Sequence, residues 1–360
     1  MAYNDILEEL RSHMSDDAEA NEKFLKEAGE RYAHESNYDA VKAVGELLME
    51  NMPEERRNEI IRLTHIDGVR MDEIYNQVNQ LISEKKLIEA KSLAEKLYKK
   101  VTVDFAETDK VKFVSLRNPF EDNLCQLLFP SEKTLNRTPF DFCAYLATYA
   151  FILVETGSTI DALPILEKAI EYNPVDVGPL FEMAEIFKLI KNKKRMIEVT
   201  QQTLKVASSP LAIARCYANM GYMLTDFAEY EDAVVFYTAS AMMAPNPAIP
   251  REIQHVADLK GTPVKVPPQE TVVETMKKYG MEFGPDKNVI SVAAQLSMHF
   301  LSENDIPNAL QALKMTFNLT QDESVKKLIL KYDPKAATMK PYAENEKPDI
   351  KQTVNDNPEE

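Results

Sequence analysis

Along most of the chain, apolar residues return every three or four positions with polar residues between them, the spacing of helices that bury one stripe. The first part reads as the amphipathic segments "NDILEELRSHM", "EANEKFLKEAGERYAHES", "YDAVKAVGELLMENM" and "PEERRNEIIRLTHI". Pro53 suits a first helical turn, where a missing N–H costs nothing. A helix pair follows in "RMDEIYNQVNQLISEKKLIEAKSLAEKLYKKV", with a polar turn at Glu84 to Lys86.

The pattern breaks at Val101 to Arg117, "VTVDFAETDKVKFVSLR", where β-branched and aromatic residues predict extended backbone. Two similar starts come next, "NPFE" at Asn118 and "TPFD" at Thr138. Each sets a capping side chain before a proline and an acid at the third helical position. They predict helices over 119–129 and 139–156, with a loop starting at Pro130. "LKGTPVKVPPQE", Leu259 to Glu270, and "YGMEFGPDKN", Tyr279 to Asn288, interrupt the later helices. From Pro334 the chain is polar and without apolar period, so 334–360 is expected to be a disordered acidic tail. The predicted layout is an N-terminal helical region over 1–70, a helical array over 71–333, and that tail.

Within the array, large and small residues alternate in a fixed order. In "YANMGYMLTDFAEYEDAVVFYTASAMMAPNP", Tyr217, Met220, Gly221 and Leu224 share one helical stripe. Ala233, Tyr237 and Ser240 make a second stripe, and Pro245 closes it. Leu146, Tyr149, Ala150 and Leu153 precede Ala162, Leu166, Ala169 and Pro174 at the same intervals. From Ala162 to Ala233 is 71 residues, two periods of about 34 plus three. The unit between keeps Leu180, Met183, Ala184 and Phe187 but places Met196, Thr200 and Thr203 on its second helix. Another copy holds Leu296, Ser297, Phe300, Ala309 and Leu313, and a fainter one Ile74, Val78, Leu81, Ala90 and Leu97.

This order resembles the tetratricopeptide repeat, in a divergent bacterial-type form, clearest over 143–245 and again near 288–321. The resemblance implies an all-α, right-handed solenoid of helical hairpins, with an irregular helical N-terminal part and a non-helical insertion near 101–117. Small positions would let the two helices of a unit cross tightly, and large ones would fill the space between units.

Composition agrees with helix: only 9 glycines, no tryptophan and 44% hydrophobic residues. Acids outnumber bases 58 to 42, a formal charge of −16, which opposes nucleic acid as a partner. The densest basic run, "KLIKNKKRM" from Lys188, is short and reads as a solvated helix end. No apolar run approaches the roughly 18 residues needed to cross a bilayer, and no basic head with an apolar core opens the chain. Three distant cysteines, Cys125, Cys143 and Cys216, read as core thiols of a reducing compartment, so a cytoplasmic location is expected.

Chemistry-bearing motifs are sparse. His13, His34, His65, His255 and His299 lack companions at metal spacing, and "GMEFG" lacks the lysine and hydroxyl of a phosphate loop. No catalytic residue, cofactor or metal is therefore predicted. The tetratricopeptide resemblance instead implies a binding face on the first helices of the hairpins. Its positions fall on Ala147, Phe151 and Glu155, then Phe181, Glu185 and Lys188, then Arg215, Ala218, Tyr222 and Asp226, with Met298 extending it. That aromatic, mixed-charge set suits a protein or peptide partner. The clamp by which some family members hold chaperone C-terminal tails needs lysines and asparagines, of which Arg215 and Asn219 are fragments, so that partner is not expected. The expected function is a non-catalytic protein- or peptide-binding scaffold. Two alternatives stay open: a peptide-sensing regulator with an N-terminal effector module, and an enzyme with a site beside 101–130.

Overall fold

The computed structural model describes residues 3–35 and 37–338. Its Cα positions divide into two compact units, Met1–Glu73 and Ile74–Glu360; the sequence pattern set the break at 70/71. In the first unit, α1 (Tyr3–Ser12), α2 (Ala18–His34) and α3 (Tyr38–Asn51) share a core of Ile6, Leu7, Leu10, Leu25, Val44 and Leu47. Asp17 starts α2 by accepting the N–H groups of Glu19 and Ala20. Helix α4 (Glu54–Thr64) has no buried residue and leads into a hairpin of β1 (His65–Ile66) and β2 (Val69–Arg70), turned at Gly68 with φ +81°.

Helix α5 (Met71–Ser83) carries the chain into the second unit and is followed by α6 (Leu87–Asp104). Then come β3 (Val111–Val114), α7 (Pro119–Leu128) and β4 (Thr134–Arg137). Three hairpins follow: α8 (Phe142–Glu155) with α9 (Ala162–Tyr172), α10 (Val177–Leu189) with α11 (Lys193–Val206), and α12 (Pro210–Asp226) with α13 (Tyr230–Met243). Helices α14 (Ile249–Lys260) and α15 (Gln269–Lys278) cover α13. The hairpin of α16 (Lys287–Ser302) and α17 (Ile306–Thr320) is capped by α18 (Glu323–Tyr332). Eighteen α-helices among the described residues, with two short strand pairs, make an all-α fold, and the helices of the second unit stack as an array of hairpins. The stretch expected to be a tail opens with a 3-10 helix, Pro334–Thr338, whose Ala336 packs with Leu313, Phe317 and Ile329; residues 339–360 lie outside the described residues.

The insertion departs from the sequence expectation. Val101 to Asp104 are helical, and only Val111–Val114 is a strand, pairing in parallel with β4. Burial overrides strand propensity here: Val101 is fully buried, and the Tyr172 hydroxyl sits 3.3 Å from its carbonyl and 3.1 Å from that of Phe105. Strand β4 is exposed throughout, which hid it from an apolar pattern. Asn118 caps α7 as expected, accepting from the N–H of Glu121. Thr138, however, does not cap α8. Its hydroxyl bonds the carbonyl of Phe140, the helix starts at Phe142, and Asp141 accepts the N–H of Ala144. Buried polar bonds then fix the insertion to the array: Ser115 N donates to Tyr172 O at 2.8 Å, and Asn173 Nδ2 donates to Glu121 Oε2 at 2.8 Å. Arg117 closes the junction with Glu121 at 2.6 Å and Asp176 at 3.1 Å.

The hairpin turns repeat one geometry. Lys85, Gly157, Lys191, Ala228 and Asn304 all take positive φ, between 52° and 83°. In each turn the next residue's N–H reaches back to the first helix, as in Lys86 to Leu81, Ser158 to Leu153, Asn192 to Phe187, Glu229 to Leu224 and Asp305 to Phe300. This is the left-handed helix ending that satisfies orphan carbonyls. Only one of the five residues is glycine, so glycine spacing does not reveal the period.

Tight packing inside a hairpin is clearest at α12 and α13. A Cβ added to Gly221 would lie 2.8 Å from the Tyr237 ring. That ring is 2% exposed, and its hydroxyl donates to Glu252 on α14 at 3.3 Å, so it has little room to retreat. Ser240 donates to the Ala214 carbonyl at 2.9 Å across the same seam. Ala90, Ala162, Ala233 and Ala309, each near the start of a second helix, are all fully buried. In α11 that place is Met196, also fully buried, while Thr200 and Thr203 turn their hydroxyls back to Met196 O and Val199 O.

Two stability tests follow from this packing. Gly221→Ala should lower the unfolding free energy by about 1–3 kcal/mol through overpacking, read from urea denaturation; a parent-like curve would refute the crossing. Ala228→Gly should instead raise it by about 0.5–1 kcal/mol, because glycine takes the positive φ of that turn without the steric cost that the alanine Cβ carries.

Candidate functional site

The first helices α8, α10 and α12 bring most of the expected binding residues onto neighbouring turns. The Arg215 guanidinium lies 4.3 Å from the Phe181 ring centre and 3.5 Å from Glu185 Oε1. Lys188 Nζ sits 2.7 Å from Glu185, donates to Asn219 Oδ1 at 3.0 Å, and lies 5.1 Å from the Tyr222 ring centre. Asp226 pairs with Lys191 at 3.3 Å. The seam between α10 and α12 is thus a ladder of alternating charge over aromatic faces.

Burial sorts these side chains. Phe181 is 6% exposed beneath Arg215 and forms the floor of the seam, so it offers a partner no free ring. Tyr222 at 46% and Phe151 at 37% are the accessible aromatics. Ala147 and Ala218 are half-buried, and Glu155 is exposed at the end of α8. Met298 stands apart from this set. It lines a mostly apolar cavity of about 520 Å³ with residues of α17 and α18, such as Leu313, Val325 and Leu328.

Two groups with unmet needs lie on the same helices. Asn219 is 7% exposed; Lys188 uses its Oδ1, but Nδ2 has no hydrogen-bond partner among the described residues. The lysine fixes the amide orientation, because an ammonium can only donate. An orphan buried donor costs roughly 1–3 kcal/mol. Glu182, half-buried on α10, makes no hydrogen bond or ion pair among the described residues. Burial pushes its carboxyl above the usual range, against the pull of Arg215 and with a push from Glu185.

Glu182 lines an open, shallow depression of about 360 Å³ between three helices. Helix α5 supplies Asn79 and Ile82; α8 supplies Ala147, Thr148 and Phe151; α10 adds Gly178. Tyrosine contacts set α5 and α6 against α8: Tyr75 meets Tyr145 at 4.4 Å, Tyr98 meets Tyr149 at 5.6 Å, and the Tyr75 hydroxyl is 3.0 Å from Thr148 Oγ1. Sequence reasoning missed Asn79, Ile82 and Glu182. Each stands one position beyond a residue that the sequence did mark, namely Val78, Leu81 and Phe181; Asn79 and Ile82 face the following hairpin, and Glu182 faces the preceding one. Asn219 had a stronger signal, since Arg215, Asn219, Tyr222 and Asp226 form one stripe at helical spacing.

Beside the insertion, the end of α7 borders a further cavity of about 580 Å³ with an apolar floor of Leu128, Phe129, Ile170 and Leu180. Lys205 and Asp286 are the charged residues lining it, and Asp286 caps α16 through the N–H of Asn288 at 2.7 Å. All three cysteines are free and buried; Cys143 Sγ lies 3.6 Å from Asp176. No helix among the described residues is long and apolar enough to cross a membrane.

The half-buried carboxylate predicts a pH signature. A glutamate with a raised folded pKa binds more protons folded than unfolded, so stability falls as pH climbs from the unfolded value through the folded one. Glu182→Gln should remove that fall: the variant should exceed the parent in urea midpoint near neutrality and lose its advantage in acid. Equal midpoints at every pH would show that Glu182 is well solvated.

No family model and no curated protein matches the chain. Among solved structures it is similar to a chain of the crystal structure of the APC/C hetero-tetramer Cut9-Hcn1, at 14% identity and a TM-score of 0.31, covering 85% of this chain. It spans 59% of that other chain. So distant a likeness carries no argument about the site, and the fold rests on geometry seen directly: left-handed turns at Gly157, Lys191 and Ala228, buried alanines at Ala162 and Ala233, and the contact of Gly221 with Tyr237. On that geometry the second unit is an all-α array of stacked helical hairpins.

Proposed function

We propose that the chain is a non-catalytic binding scaffold whose first helices α8, α10 and α12 receive a peptide segment of a protein partner. The observation that carries this reading is the unpartnered Nδ2 of Asn219, buried on the stripe that also presents Arg215 and Tyr222. A carbonyl oxygen supplied by a partner would satisfy that donor once the side chains covering it move aside, and extended peptide backbone presents carbonyls at regular intervals. Tyr222 and Phe151 would take apolar side chains on either side, since rigid aromatics give contact area at little entropic cost. The ion pairs of Glu185 with Lys188 and Arg215 hold the accessible part of the seam in place, which limits the side-chain ordering that binding requires.

Peptide display against the full chain tests this. Selected peptides should bind about tenfold more weakly to Tyr222→Ala and to Asn219→Ser, while circular dichroism and melting stay near the parent. Peptides whose affinity ignores both changes would place the binding face elsewhere.

A further inference from the structure

The depression between α5, α8 and α10 has one ionisable lining residue, Glu182. Its remaining polar groups are largely committed. Gly178 donates its N–H to Asp176 at 2.9 Å, and the Thr148 hydroxyl is engaged with Tyr75. The nearest cations of the seam are committed too: Arg215 to Phe181 and Glu185, Lys188 to Glu185 and Asn219. The depression is therefore a negative site with a half-buried carboxylate beside an accessible aromatic, Phe151, and Asn79 also lines it. An anion would be repelled there, and a purely apolar group would leave the carboxylate desolvated and unpaired. A cation resolves both problems, since it pairs with the carboxylate and stacks on an aromatic face.

We propose that Glu182, Phe151 and Asn79 form a specificity pocket for one arginine or lysine side chain of the bound peptide. This rests on the scaffold reading above and adds to it a sign of charge and a place. The site lies on the same first-helix surface as Asn219, one hairpin earlier, so a single extended segment can reach both. The formal charge of −16 favours the approach of basic segments in general; the pocket makes one position of such a segment matter more than the others.

The test uses the full chain and short end-capped peptide pools with the same apolar positions and a central arginine, citrulline or glutamate, followed by fluorescence anisotropy. Citrulline keeps the shape of arginine and removes the charge. The arginine pool should bind about tenfold more tightly than the citrulline pool, the worth of one charged hydrogen-bonded contact, and the glutamate pool more weakly still. Glu182→Gln should abolish the preference for arginine and leave citrulline binding unchanged. If arginine and citrulline bind alike, or if the preference survives Glu182→Gln, the pocket is refuted while the scaffold reading stands. If no pool binds at all, both fall together.

Discussion

The architecture of the second unit depends on how closely two helices of one hairpin can approach. At the crossing of α12 and α13 the Tyr237 ring occupies the space where any side chain at residue 221 would begin. Glycine there, alanine at 233 and serine at 240 set the depth of that approach, and Ser240 adds a hydrogen bond to the opposite backbone. With the distance set, the large residues of the same stripes, Tyr217 and Leu224 among them, must turn inward and bury completely. The outward stripe of α12, from Arg215 through Asn219 to Tyr222, is then aimed by packing at which it takes no part. The placement of the candidate site is thus a by-product of core volume.

Much of this could be read from residues, and the failures have physical causes. The order of large and small residues located the hairpins of α8 to α13 and of α16 with α17, because it records volume at each crossing. Position 196 broke the order with methionine, yet the hairpin formed, since threonine hydroxyls at 200 and 203 found partners one turn back. Val101 to Asp104 misled because β-branched residues prefer strands only when no helix packing competes. Thr138 misled because a cap is decided by which carboxylate or hydroxyl meets the first free N–H, and Asp141 was better placed. Strand β4 left no signal, being exposed on every residue. The site was half readable. Periodicity marked the faces of α8, α10 and α12, but it could not show that Phe181 lies beneath Arg215, or that Glu182 faces the preceding hairpin without an ion-pair partner among the described residues.

Charge on the candidate face follows a consistent logic. Pairs such as Glu185 with Lys188 are half-exposed and contribute little to stability individually. Their effect is positional: they fix Lys188 beside the Tyr222 ring and hold the Asn219 carboxamide in one orientation. Against that neutralised background Glu182 differs, because the nearby bases are already engaged. A surface with balanced charges and a single unbalanced one discriminates among ligands more sharply than a uniformly acidic surface.

Helix α16 packs against α7, an element that precedes the first of the three central hairpins. Stacked repeats ordinarily touch only their neighbours in sequence, and their outermost members unravel independently. Here the late hairpin also rests on an early segment, so α16 cannot leave without uncovering α7. The amide protons of α7, α16 and the three hairpins between them should therefore exchange with solvent largely as one cooperative block, slower than those of α18.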